Sequence, residues 1–120
     1  MISEISGANL AYIGDAVIEL LIRERLVKTG GKVGELNKTA DSYVRAGYQS
    51  MAADRLEPLL TEAEAAAYRR GKNVHTNYLP KNATRIEYRK ATGLEALFGY
   101  LYLAGENERL RFLLEKGFFE

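Results

Sequence analysis

An all-α fold is predicted for this chain on three observations. Apolar residues recur at three- and four-residue spacing through most of the sequence. No stretch keeps the apolar–polar alternation between turn residues that a half-buried strand needs. Glycines and a proline punctuate the periodic segments at points where helices would stop. With 120 residues the chain can build one core, so a single domain over residues 1–120 is expected.

The first helix spans about Asn9 to Lys28, with Leu10, Ile13, Val17, Leu20 and Leu21 on its inward stripe. Tyr12, Ile18 and Ile22 lie beyond that stripe and hint at a second buried surface. Gly30 and Gly31 end this helix, as glycines commonly do. Val33, Leu36, Ala40, Tyr43, Val44 and Tyr48 keep helical spacing and predict a second helix from about Val33 to Tyr48. Two shorter helices are expected around Ser50 to Glu57 and from Thr61 to Arg70, with Pro58 marking the break between them. Thr61, with Glu64 three residues on, has the signature of a capping box. The segment "GKNVHTNYLPKNAT", Gly71 to Thr84, is rich in Gly, Asn, Thr and Pro and lacks apolar periodicity, so it predicts a long polar loop. Another helix runs from about Arg85 to Leu103, and Gly105 closes it before a short one from Glu106 to Lys116.

Hydrophobic residues at 47% and charged residues at 28% exclude a disordered chain. The absence of cysteine excludes a disulfide framework and a zinc–thiolate site, and fits a reducing compartment. "MISEIS" has neither a basic nor an apolar leader region, so no secretory signal is expected. Asp15, Glu19 and Glu95 interrupt the greasiest segments, so no membrane span is expected, and a soluble cytoplasmic protein is the plain reading. The net charge of +1 hides an uneven distribution. Arg69, Arg70, Lys72, Lys81, Arg85, Arg89 and Lys90 crowd one segment with Glu87 as its only acid, while the other acids gather elsewhere. A polyanion responds to that local potential, not to the total.

Two acids stand in otherwise apolar helices, Asp15 in "YIGDAV" and Glu95 in "LEALFGYLYL". Residues three and four apart share a helix face. Asp15 therefore has Ala11 beside it, and Glu95 has Ala91 and Gly99. Small residues let helix backbones approach, so two such helices packed together would bring both acids into one pocket. Carboxylates are almost never buried unpaired, and close ones raise one another's pKa unless a cation holds them ionised. That cation is either an arginine, with Arg85 or Arg89 as candidates, or a divalent metal. Oxygen ligation, with no Cys and one His in the chain, suits Mg²⁺ or Mn²⁺ rather than zinc. Glu19 and Arg23, four apart, read as an ordinary surface pair.

The basic segment has mixed chemistry. Its Arg and Lys residues suit phosphates, and Asn73, Thr76, Asn77, Asn82 and Thr84 can hydrogen-bond phosphate or ribose. Tyr68, Tyr78 and Tyr88 are available for stacking on bases, but no run of aromatics forms a single-strand platform, which favours duplex backbone. A solvated loop flanked by surface charge is the competing reading. His75 stands alone in this loop, without a Ser, Asp or second His placed with it, and reads as an RNA contact or a bystander.

"YIGDAV" and "LEALFGYLYL", in this order and with "RGKN" (Arg70–Asn73) and "PKN" (Pro80–Asn82) between them, resemble the paired motifs of the ribonuclease III catalytic domain. The likeness is closer to the Mini-III branch, which consists of that domain without an appended double-stranded-RNA-binding domain. It runs over essentially the whole chain. The resemblance implies a compact all-helical homodimer with a cleft for duplex RNA, in which Asp15 and Glu95 match the metal-binding catalytic acids. It implies Mg²⁺, with Mn²⁺ substituting, and hydrolysis of double-stranded RNA to a 5′-phosphate and a 3′-hydroxyl. The natural substrate it implies is precursor large-subunit (23S) ribosomal RNA. Arg69, Arg70, Lys72, Asn73, Lys81, Asn82 and Arg85 are then expected to hold the RNA backbone, and Thr92 to orient a water. The larger enzymes of the family carry further acids where this chain has Ala8, Ala11 and Thr92, a pattern the Mini-III branch shares. Two acidic ligands per subunit remain. Without a dedicated RNA-binding domain the duplex should be held weakly, leaving work for substrate shape or for a helper such as a ribosomal protein.

A duplex-RNA-binding module of the same fold that does not cut is the alternative, because losing carboxylates is how one would arise. Retention of both Asp15 and Glu95 speaks against it. A helical protein–protein adaptor would account for neither the acids nor the basic loop.

Overall fold

The computed structural model describes residues 1–120, and its regular structure is entirely helical. α1 runs over Gly7–Val27, α2 over Val33–Val44, α3 over Ala46–Leu56, α4 over Glu62–Lys72, α5 over Arg85–Leu103 and α6 over Asn107–Phe118, with short 3-10 turns at Ile2–Glu4 and Glu57–Leu59. No helix is long and apolar enough to cross a membrane.

α5 is the central strut. It packs against α1, α3 and α4, and its Leu94, Leu97 and Phe98 are wholly buried. Around them lie Ile18 and Ile22 of α1, Leu56 of α3, and Leu110, Leu113 and Phe118 of α6. Each such side chain contributes roughly 1.5–3 kcal/mol by leaving water.

The inward face of α1 differs from the expected stripe. Ile18 and Ile22 belong to the main core, whereas Leu20 is 65% exposed and Tyr12 84% exposed. The line along which α5 crosses α1 decides the face, and that line passes through Gly14. A Cβ on Gly14 would stand 1.6 Å from the Glu95 carbonyl oxygen, and one on Gly99 would stand 2.0 Å from the Leu10 carbonyl oxygen. The two backbones touch where only hydrogen fits.

The single helix expected from Val33 to Tyr48 is broken at Arg45, whose φ of −69° and ψ of 148° are extended. On a continuous helix Tyr43 and Tyr48 would project about 140° apart. The break turns them together instead, ring centroids 4.9 Å apart, against Phe118 and Phe119 of the C-terminal end. Aromatic packing thus overrides an unbroken periodic pattern. α4 continues past Arg70 because Gly71 lies buried against α5, where a Cβ would meet the Ala96 side chain and the Thr92 carbonyl. α6 likewise extends to Phe118.

Caps fix the ends. Ser6 accepts from the Asn9 amide and starts α1. Thr61 and Glu64 form the expected capping box on α4, and Thr84 with Glu87 forms a second one that fixes the start of α5. Glu64 is buried, and Arg109 of α6 donates to both its oxygens at 2.8 and 2.9 Å and to the Leu59 carbonyl.

Candidate active site

Gly14 precedes Asp15, and Glu95 supplies the carbonyl against which Gly14 rests, so the closest approach of α1 and α5 sets the two acids side by side. The Glu95 carboxyl donates a hydrogen bond to the Asp15 carboxylate. Burial first, and then the Asp15 charge and this hydrogen bond, push the Glu95 pKa up to about 8. Asp15 itself faces solvent at the rim, and Glu95 is half-buried below it.

Neither acid has an ion-pair partner among the salt bridges of the chain. Arg89 donates to the Lys72 carbonyl and to Asn73 Oδ1, and Arg85 pairs with neither acid. Glu19 and Arg23 form the surface pair, at 2.7 Å. No group of three or more His, Asp or Glu side chains collects anywhere, so this place offers two carboxylates and no nitrogen or sulfur donor. An all-oxygen pair that shares a proton in the absence of a cation is a fitting donor set for a hard divalent ion.

Glu95 opens into a cleft of about 710 Å³ between the α2–α3 corner and the loop that precedes α5. Lys81, Asn82 and Thr92 line it with Glu95. Asn82 adopts φ 65°, a left-handed conformation that Asn tolerates better than most residues, and so shapes the turn that presents Lys81. The Thr92 hydroxyl donates to the Tyr88 carbonyl at 2.9 Å, which leaves its oxygen free only to accept. A second groove of about 430 Å³ lies alongside, lined by Lys72, Asn73, His75, Thr76, Asn77, Arg85 and Arg89. Tyr88 lines both grooves and stacks edge-on with Tyr78 at 5.9 Å.

The residues expected to meet RNA therefore fall into three places. Lys81 and Asn82 share the Glu95 cleft, and Lys72, Asn73 and Arg85 share the neighbouring groove. Arg69 and Arg70 line neither, and the Arg70 carbonyl packs against Gly7. Tyr68 is 3% exposed, so it cannot stack on a base. Three polar residues of the cleft escape a reading of the sequence: Ser42, Arg45 and Gln49. The only available signal was the helix break at Arg45, which the continuous periodicity conceals.

Among known proteins, the Ribonuclease III domain family matches residues 8–106. The chain is 47% identical over 108 residues to a Mini-ribonuclease 3 of Symbiobacterium thermophilum, a match covering 89% of this chain and 83% of that protein. It is 46% identical over 112 residues to one from a Thermoanaerobacter species, with 92% and 79% covered. A crystal structure of a Fusobacterium nucleatum protein, 35% identical, superposes with a TM-score of 0.86 over 93% of this chain and 90% of that one.

Proposed function

The chain belongs to the ribonuclease III family, among its Mini-ribonuclease 3 members, and from that premise we propose that it cuts double-stranded RNA with Asp15 and Glu95 as its metal-holding acids. The observation that carries this reading is the contact of the two carboxyls at the glycine crossing of α1 and α5, beside a cleft lined with Lys81 and Asn82. A divalent ion bound there supplies Lewis-acid chemistry to the scissile phosphate and acidifies water.

The side chains have separable tasks. Asp15 and Glu95 hold the ion, for which Glu95 must give up its proton. Thr92, its own proton committed to the Tyr88 carbonyl, accepts a hydrogen bond from a water at the cleft wall. Lys81 and Asn82 in the cleft, and Lys72, Asn73 and Arg85 in the next groove, hold the phosphate backbone. Arg69 and Arg70 are left to more distant phosphates.

The finer parts of the proposal rest on family membership: Mg²⁺ with Mn²⁺ as substitute, 5′-phosphate and 3′-hydroxyl products, precursor large-subunit ribosomal RNA as substrate, and a homodimer. Support for a second copy comes from Tyr12 and Leu20 of α1 and Ile86 of α5, apolar and outward-facing on the helices that carry the acids.

Incubating the protein with duplex RNA and Mg²⁺ tests the central claim, alongside Asp15→Asn and Glu95→Gln. The wild type should cut, and both variants should bind the duplex without cutting it. Variants that cut as well as wild type would place the chemistry elsewhere. A wild type that binds and never cuts would make the protein a duplex-RNA-binding module.

A further inference from the structure

Arg45 sits at the corner between α2 and α3, exposed, on the wall of the cleft that holds Glu95. Its guanidinium makes no salt bridge, cation–π contact or side-chain hydrogen bond within the chain, unlike Arg23, Arg25, Arg55, Arg89, Arg109 and Arg111, which all have partners. Arg45 is also the N-cap of α3, and no side chain caps that helix. The amides of Ala46, Gly47 and Tyr48 find no backbone acceptor, and these three residues line the same cleft. Three unanswered N–H groups and the positive end of an eleven-residue helix thus face the same space as a free guanidinium.

One residue further in, Gln49 is 1% exposed and lines this cleft. Its Nε2 donates to the Val44 carbonyl, but its Oε1 is buried without any donor. An acceptor left in that state is costly, and it lies directly behind the first turn of α3. Besides Glu95 on the facing wall, the acid nearest this turn is Glu87, its Oε2 3.4 Å from where a Gly47 Cβ would stand. Its other oxygen accepts from the Thr84 amide. An anion therefore approaches from the Arg45 and Lys81 side.

Building on the double-stranded-RNA reading above, we propose that Arg45 and the first turn of α3 form a phosphate anchor for the RNA strand that passes Glu95. The chemistry matches a phosphodiester. Backbone amides at a helix N-terminus and a guanidinium both donate to phosphate oxygens. Arg45 acts here as a substrate-positioning residue, with the metal left to Glu95 on the facing wall and to Asp15 beside it.

The test compares Arg45→Ala with Arg111→Ala, a surface arginine paired with Glu24 and remote from both grooves. Cleavage of a synthetic RNA duplex is followed as KM and kcat, and duplex binding is measured in EDTA over a range of salt. Arg45→Ala should raise KM and weaken binding by roughly tenfold, leave kcat near wild type, and lower the slope of log K against log salt by about 0.9. Arg111→Ala should match wild type in all three. Wild-type KM and slope for Arg45→Ala, or a loss confined to kcat, would overturn the anchor. A wild type that fails to cut would sink the enzymatic reading instead, and the binding arm would still decide the anchor.

Discussion

Gly14 and the carbonyl of Glu95 are in contact so close that a methyl group on Gly14 would stand 1.6 Å from the oxygen. This contact fixes the spacing of the Asp15 and Glu95 carboxyls through the backbone. Gly14→Ala must push α1 off α5, and we expect it to cost about 3 kcal/mol or more of stability. Gly34→Ala, on α2 with open space around it, should instead stabilise by about 0.5 kcal/mol. Urea denaturation of the two variants checks both signs. A Gly14→Ala protein as stable as wild type would refute the close packing.

The paired acids give the metal-free protein a pH signature. Glu95 titrates near 4.5 when unfolded and near 8 when folded, so between these values the folded state holds more protons. Stability from this group is therefore present at low pH and is lost as pH rises through about 8. Burial is the larger cause and the Asp15 charge the next. Asp15→Asn should flatten the profile and stabilise the metal-free protein at alkaline pH by on the order of 1 kcal/mol. Denaturation in EDTA from about pH 5 to about pH 9 reads this out, and a destabilised Asp15→Asn would contradict it.

The Glu64–Arg109 pair carries the opposite sign. Burial pushes the Glu64 carboxyl up, but the hydrogen bonds from Arg109 and Thr61 outweigh it and hold the pKa below the usual 4.5. Its contribution is present above pH 4.5 and is lost as pH falls below that value. Arg109→Ala leaves a buried carboxylate without its charge partner, held by the Thr61 amide alone, and should cost about 3 kcal/mol. The double variant with Glu64→Ala should lose less than the sum of the single changes. Strict additivity in that cycle would mean the two residues do not interact.

Tyr68 holds a buried hydroxyl with no partner. Burial, reinforced by the Glu57 and Asp54 charges, pushes its pKa up to about 12, so the phenol stays protonated. Removing an unanswered polar atom should help, and Tyr68→Phe is expected to stabilise by about 1 kcal/mol. Thermal unfolding that shows a lower Tm would mean the hydroxyl has a role not seen in the geometry.

Much of this was legible in the sequence, for reasons that are local. Glycine and capping residues mark their own positions, so the bounds of α5 and the Thr61–Glu64 box could be read directly. The Thr84–Glu87 box has the same spacing and the same start signal for α5. Partners from elsewhere in the chain decide the rest. The corner at Arg45 lets Tyr43 meet Phe119 while Tyr48 stacks on Phe118, a requirement that no local window contains. The corner in turn creates the polar wall of Arg45 and Gln49. Arg70 adjoins Lys72 in sequence, but helix rotation of about 100° per residue turns it about 200° away, to the opposite face.

The acids meet only because the first and fifth helices do, and three helices lie between them in the chain. A domain folds as a unit, so Asp15 has no counterpart until α5 has been made and has docked on α1. The pairing of the two carboxyls is thus a property of the finished fold, absent from any partly made chain.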